Sequence, residues 1–238
     1  MDEDLSRFMA KRPPTAAHPL LRLTVLLVED SRFASEAMRL LCLRSGARIR
    51  RADCLRSAAR HLQTYRPTVV IVDVGLPDGS GLDLIRDLAS AQPRVPVILG
   101  TSGNPDLADA AKDAGADGFL EKPIERLAVF QQAVLSALPP ASRPRTLGIV
   151  SDDQISPDPI ALRDDLTLAA DLLGNNPDDR AVSYVAQFLS GVARVAHDPM
   201  LASAAESLAH PGMRTDTQGL SRVTGLVRER LAAGAGAF

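Results

Sequence analysis

The chain has no tryptophan, two tyrosines and two cysteines among its 238 residues, and a formal net charge of only -2. Each scarcity removes a class of protein. Cys42 and Cys54 are too few for a disulfide framework and lie in segments with helical spacing, so reduced thiols and a cytoplasmic location are expected. No uninterrupted apolar run approaches the roughly 18 residues that a membrane span needs. The first residues are acidic where a secretory signal is basic, so residues 1–20, His18 included, are expected to form a mobile tail. The near-balanced charge gives no support for a chain held by charge alone on nucleic acid or on an anionic membrane. With 45% hydrophobic and 24% charged residues, two globular domains are expected.

Two periodicities alternate from residue 21 to 138. "LTVLLVE" (23–29), "ARIRR" (47–51), "TVVIVD" (68–73), "VPVILG" (95–100) and "ADGFLE" (116–121) are short and mostly aliphatic, as parallel strands buried on both faces should be. Between them lie apolar residues at helical spacing, with Ser31, Ser80 and Asn104 as caps and a last helix over 124–138. The expectation is an α/β domain with a five-stranded, doubly wound parallel sheet.

Such sheets gather ligands at the carboxyl ends of their strands. The first strand ends on Glu29 and Asp30, the third on Asp73, the fourth on Thr101 and the fifth on Lys122, just before Pro123. All five should share one rim. Three carboxylates there repel one another, and a hard divalent cation relieves them, with Mg²⁺ favoured if water and a phosphate complete its octahedron. Lys122 and the Thr101 hydroxyl would face the bound anion.

An acidic pair, an aspartate, a Thr and a Lys-Pro, each after its own strand and in this order, resemble the receiver domain of two-component response regulators. The resemblance covers residues 23–138 and implies a flavodoxin-like fold with strand order 2-1-3-4-5. It implies that Asp73 is the phosphoacceptor, taking a phosphoryl group from a histidine kinase or a histidine phosphotransfer protein. Mg²⁺ would be held by Glu29, Asp30, Asp73 and the Gly75 carbonyl, with Lys122 and Thr101 on the phosphoryl oxygens. Phe119 matches the family's aromatic switch position, although a half-buried strand residue would look the same. The output face would be the fourth helix, fifth strand and fifth helix. Gly75 and Gly103, two residues after Asp73 and Thr101, are read as leaving the site uncovered and the phosphorylated state short-lived. Asp78, in "PDGSG", reads as a turn residue, and the nearby glycines lack the lysine of a P-loop.

Residues 139–159 are proline-rich and read as a linker with limited local order. Residues 160–238 read as a smaller all-α domain of three or four helices. Its second helix is expected to start with Asn176 as cap and Pro177 in the first turn, with a stripe of Ala181, Val185, Phe188, Val192 and Val195. Whether that stripe is core or interface stays open. Residues 141–238 hold 9 Arg, no Lys and 12 acidic residues, the wrong balance for neutralising phosphates, so DNA binding is disfavoured. His197 and His210 lack the small and basic neighbours of a phosphotransfer site. The reading reached is a phosphorylation-gated signalling protein rather than an enzyme. Its helices would serve self-association or docking of a downstream protein; the alternative is a DNA-binding transcription regulator.

Overall fold

The computed structural model describes residues 13–140, 143, 153–174, 177–209 and 217–234. Strands β1 (Thr24–Val28), β2 (Arg48–Ala52), β3 (Val69–Asp73), β6 (Val97–Ser102) and β7 (Gly118–Glu121) form one parallel sheet in the order β2-β1-β3-β6-β7. A two-residue hairpin, β4 (Gly75–Leu76) and β5 (Gly79–Ser80), follows β3. Helices α1 (Arg32–Arg44), α2 (Leu55–Thr64), α3 (Gly81–Ser90) and α4 (Leu107–Asp113) make the four crossovers, and α5 (Leu127–Ala137) follows β7. The order is that expected of a doubly wound, flavodoxin-like sheet.

Alternation along the strands explains the two layers. Val25, Leu27, Val69, Ile71, Val97 and Leu99 point to one face, where Met38 and Leu41 of α1 and Phe130 and Val134 of α5 cover them. Leu26, Val28, Val70, Val72 and Ile98 point to the other, beneath Ala58 of α2, Ile85 of α3 and Ala111 of α4. Because β1 and β3 are neighbours while the chain departs from them in opposite directions, their carboxyl ends border the crevice of the sheet.

Two expectations about connecting segments are corrected. Leu20, the last residue of the supposed tail, is fully buried in the core, with its N–H bonded to the Ser45 carbonyl at 2.9 Å. The end of the proline-rich stretch is likewise fastened down. Ile155 is buried in the same core, and its N–H reaches the Glu125 carbonyl at 2.9 Å.

Helices α6 (Pro159–Gly174), α7 (Asp179–Val195), α8 (Pro199–Ala209) and α9 (Thr217–Gly234) build a core of their own around Leu166, Val185, Leu189, Leu201 and Val227. The cap of α7 is Asp178, whose carboxylate accepts from the Ala181 N–H at 2.7 Å, so the helix starts later than its proline implied. Asn176 and His210 lie outside the described residues. The Val185–Val195 stripe divides: Val185 and Val192 serve the helical core, whereas Val195 packs with Phe33 and Ala34 of α1. The same stripe is therefore both core and interface.

Caps elsewhere show how the chain turns. Ser31 and Ser80 accept from Ala34 and Leu82, as expected. Asn104 instead makes a turn with the Asp106 N–H, and α4 starts after Asp106. Asp78 has a longer reach than its turn implied, because its carboxylate accepts from the Leu55 and Arg56 N–H groups and caps α2 across 23 and 22 residues. Replacing Asp78 by Ala is expected to cost about 1 kcal/mol, the usual value of a lost cap, in urea denaturation. Gly81 is more tightly constrained: a Cβ there would stand 1.9 Å from the Asp73 carbonyl oxygen, which belongs to the sheet and has nowhere to go. Gly81→Ala is expected to cost at least about 1–3 kcal/mol by the same measurement.

Candidate functional site

The rim at the carboxyl ends of the strands brings together five sequence-predicted side chains. Glu29 and Asp30 follow β1, Asp73 closes β3, Thr101 stands opposite it in register on β6, and Lys122 follows β7. One carboxylate oxygen from each of Glu29, Asp30 and Asp73 falls within 4.8 Å of the others. Lys122 is inserted between two of them, its Nζ 2.7 Å from Glu29 Oε2 and 2.5 Å from Asp73 Oδ2. The other Asp73 oxygen accepts from the Gly75 N–H at 3.0 Å, and Glu29 Oε1 accepts from the Ser31 N–H at 3.3 Å.

These groups are out of water: Glu29 is 2%, Lys122 5% and Asp73 8% exposed. Burial chiefly holds the Glu29 carboxyl well above its usual range, against the pull of Lys122, with Asp73 and Asp30 adding to the rise. Burial also pushes Asp30 up to about 7, reinforced by the Asp73 charge. Lys122 is held firmly charged, because the carboxylates of Asp73 and Glu29 outweigh the cost of its burial. One ammonium thus pairs with two of three carboxylates, and the deficit of positive charge suits a divalent cation. The donor set fits too: three converging carboxylate oxygens are the ligands a hard, octahedral ion takes, with water for the remainder.

Thr101 is fully buried, and its hydroxyl is turned away from Asp73 to donate to the Leu120 carbonyl at 2.7 Å. Phe119 lies half-buried against Gly100, where a Cβ would come within 3.1 Å of its ring. His197 lies two residues beyond the end of α7 and meets Glu125 at 2.5 Å.

The surroundings of the site correct one expectation. Gly75 and Gly103 are not open, because α7 lies over both. A Cβ on Gly75 would be 3.2 Å from Gln187 Oε1, and one on Gly103 would be 3.1 Å from Arg194 Cδ. The missing side chains let the helix approach closely, and beside Gly103 a cavity of about 400 Å³ remains between Ser102, Gln187, Arg194 and Glu206.

Sequence reasoning missed three residues that touch this rim. The Tyr184 hydroxyl donates to Asp30 Oδ2 at 2.7 Å. Asp165, only 1% exposed, accepts from Ser31 Oγ at 2.7 Å and from the Arg32 and Phe33 N–H groups at 2.9 and 3.0 Å. Gln187 borders the small cavity that also touches Asp73 and Lys122. None gave a local signal. The hydroxyl of Tyr184 and its partner are 154 residues apart, and Asp165 and Ser31 are 134 apart.

Like-charge repulsion in this cluster has a measurable cost. Asp30→Asn keeps an acceptor for Tyr184 and removes a carboxyl whose ionisation is opposed by burial first and by the Asp73 charge second, which hold it up to about 7. The variant is expected to unfold at higher urea than the parent protein in EDTA. The gain should be at least about 1.4 kcal/mol, the value of one pKa unit.

With this geometry in view, residues 25–134 match the family model for the response regulator receiver domain. The KDP operon transcriptional regulatory protein KdpE of Escherichia coli is 40% identical over 101 residues, covering 42% of this chain and 44% of that protein. The probable transcriptional regulatory protein TcrX of Mycobacterium tuberculosis is 36% identical over 120 residues, or 47% and 49% of the two chains. A crystal structure of a putative response regulator from Chloroflexus aurantiacus is similar with a TM-score of 0.46 and 27% identity, covering 48% of this chain and 96% of that one. The chain spans about half the length of the curated relatives it matches. Within it, residues 25–134 carry the sequence pattern of a response regulator receiver domain.

Proposed function

We propose that the protein is a cytoplasmic two-component response regulator that accepts a phosphoryl group on Asp73 and passes the phosphorylation state to the helices of residues 159–234. Residues 21–138 act as the receiver in this reading. The observation that carries it is the clustering of Glu29, Asp30 and Asp73 at the crevice of the sheet, with Lys122 paired to Glu29 and Asp73.

Phosphoryl transfer needs an in-line oxygen nucleophile and compensation of the charge on the moving group. As the Asp73 oxygen bonds to phosphorus, the phosphorus–nitrogen bond of a phosphohistidine on the kinase or phosphotransfer partner breaks, and the imidazole leaves with the electron pair. Lys122, already charged and in contact with Asp73, accompanies the new phosphoryl oxygens as a point charge. Mg²⁺ held by Glu29, Asp30, Asp73 and the Gly75 carbonyl would neutralise further charge on those oxygens. Thr101 would exchange its bond to the Leu120 carbonyl for one to a phosphoryl oxygen. That movement acts next to Phe119 and so reaches β7 and the helices flanking it.

The outputs favoured are self-association or docking of a downstream protein by the C-terminal helices. A second reading has its own support, since the relatives that match are named transcriptional regulatory proteins. Against it stands the acidic balance of residues 141–238. Among the described residues, no helix is long and apolar enough to cross a membrane.

Light scattering with Mg²⁺, with and without beryllofluoride as phosphoryl mimic, tests the switch. A change in mass or shape is expected in the parent protein and should vanish in Asp73→Ala. If beryllofluoride occupies both proteins equally, Asp73 is not the acceptor. Duplex DNA binding that weakens steeply with salt and strengthens with beryllofluoride would establish the transcription reading instead.

A further inference from the structure

The geometry points to the C-terminal helices as a cover, supplied by the chain itself, over the receiver's phosphoacceptor pocket: Tyr184 and Asp165 hold α7 and α6 on the rim until Mg²⁺ and a phosphoryl group displace them. This rests on the reading of Asp73 as phosphoacceptor and names the surface that phosphorylation would free.

Three features combine. The first is occupation of a proposed metal ligand, since Tyr184 donates to Asp30 Oδ2 at 2.7 Å. A carboxylate oxygen engaged by a phenol must be released or shared before it can ligate a cation at full strength. The second is the clamp at the start of α1, where Asp165 accepts from Ser31 Oγ, Arg32 N–H and Phe33 N–H, within two to four residues of Glu29. An apolar seam of Phe33, Ala34 and Val195 backs it, with the Arg32–Asp164 ion pair on its exposed side. The third is volume. Between α7 and the rim there remains a cavity of about 30 Å³, bordered by Asp30, Asp73, Lys122, Gln187 and Phe188. On this measure one water needs about 10–15 Å³, so the space holds a couple of waters. That is less than a hydrated cation and a phosphoryl group occupy together, and beyond Gly103 and Gln187 the space widens into a second cavity of about 400 Å³.

Closure and ligand binding then oppose each other, and linkage makes the effect reciprocal: whatever weakens the cover strengthens Mg²⁺ binding, and ligand at Asp73 favours opening of the cover. The freed surface is the polar edge of α7 around Tyr184 and Gln187, together with the start of α1.

The full-length protein tests this by amide hydrogen exchange and calorimetry, using Tyr184→Phe, which keeps the ring in place, and Asp165→Ala, which removes the clamp. The Arg32 and Phe33 amides report directly on the contact. In the parent protein, Mg²⁺ with beryllofluoride is expected to speed their exchange. Both variants should bind Mg²⁺ roughly two- to tenfold more tightly, the fold-change equivalent of one hydrogen bond. They should also take a phosphoryl group from acetyl phosphate faster. If beryllofluoride occupies the parent protein while both amides stay protected and the variants bind Mg²⁺ no better, the cover is overturned and the phosphoacceptor reading stands. If beryllofluoride occupies neither parent nor variants, the phosphoacceptor reading fails and the cover with it.

Discussion

Three carboxylates and one ammonium, buried together at the open end of a parallel sheet, set the terms for everything around them. A charge removed from water is costly unless it is paired and hydrogen-bonded. Lys122 can satisfy two partners closely, and it satisfies Glu29 and Asp73. Asp30 is left over, and the phenol of Tyr184 supplies its hydrogen bond. A phenol brings a donor but no positive charge, so the cluster keeps its negative excess. The site is thus neutral enough to fold and charged enough to attract a cation.

The same division of labour appears one turn along the chain. The Ser31 hydroxyl accepts from the Ala34 N–H as the cap of α1 and spends its own proton on Asp165. Asp165 in turn gathers the Arg32 and Phe33 amides, the unpaired donors of that helix start. A carboxylate at a helix N-terminus is favoured by the dipole as well as by its hydrogen bonds, which offsets the burial that holds Asp165 above its ordinary range. This carboxylate comes from a helix more than a hundred residues away, so the N-terminus of α1 and the start of the acidic rim are fastened to α6 by one side chain.

What could be read from the sequence divides along this line of range. The sheet, its order and the convergence of Glu29, Asp30, Asp73, Thr101 and Lys122 follow from strand periodicity and a rule about strand ends, both local. The caps at Ser31 and Ser80 are local too. Asp78 was legible as a turn residue but not as the cap of α2, because the amides it serves lie on another crossover. Tyr184, Gln187 and Asp165 were illegible for the same reason: a single aromatic, amide or acid on an amphipathic helix has no pattern until the helix is docked. The buried positions of Leu20 and Ile155 show the converse error, where polar or proline-rich composition hid one apolar anchor.

Gly75 and Gly103 show how one sequence feature supports opposite physical conclusions. A missing side chain beside a reactive group leaves space, and space means access to solvent only if nothing else enters it. Here Gln187 and Arg194 of α7 enter it. A cover carried on the same chain does not need a strong interface, because tethering replaces the entropy of association with an effective concentration in the millimolar range. It must in fact be weak. Five hydrogen bonds, each with a net value of about 0.5–1.5 kcal/mol, lie within reach of the binding energy of a cation and a covalently attached phosphoryl group. The apolar seam of Phe33, Ala34 and Val195, flanked by Ala161, Leu162 and Ala196, is still small beside either core. The polar contacts, set directly on Asp30 and the start of α1, are what permit the junction to report the state of the pocket beneath.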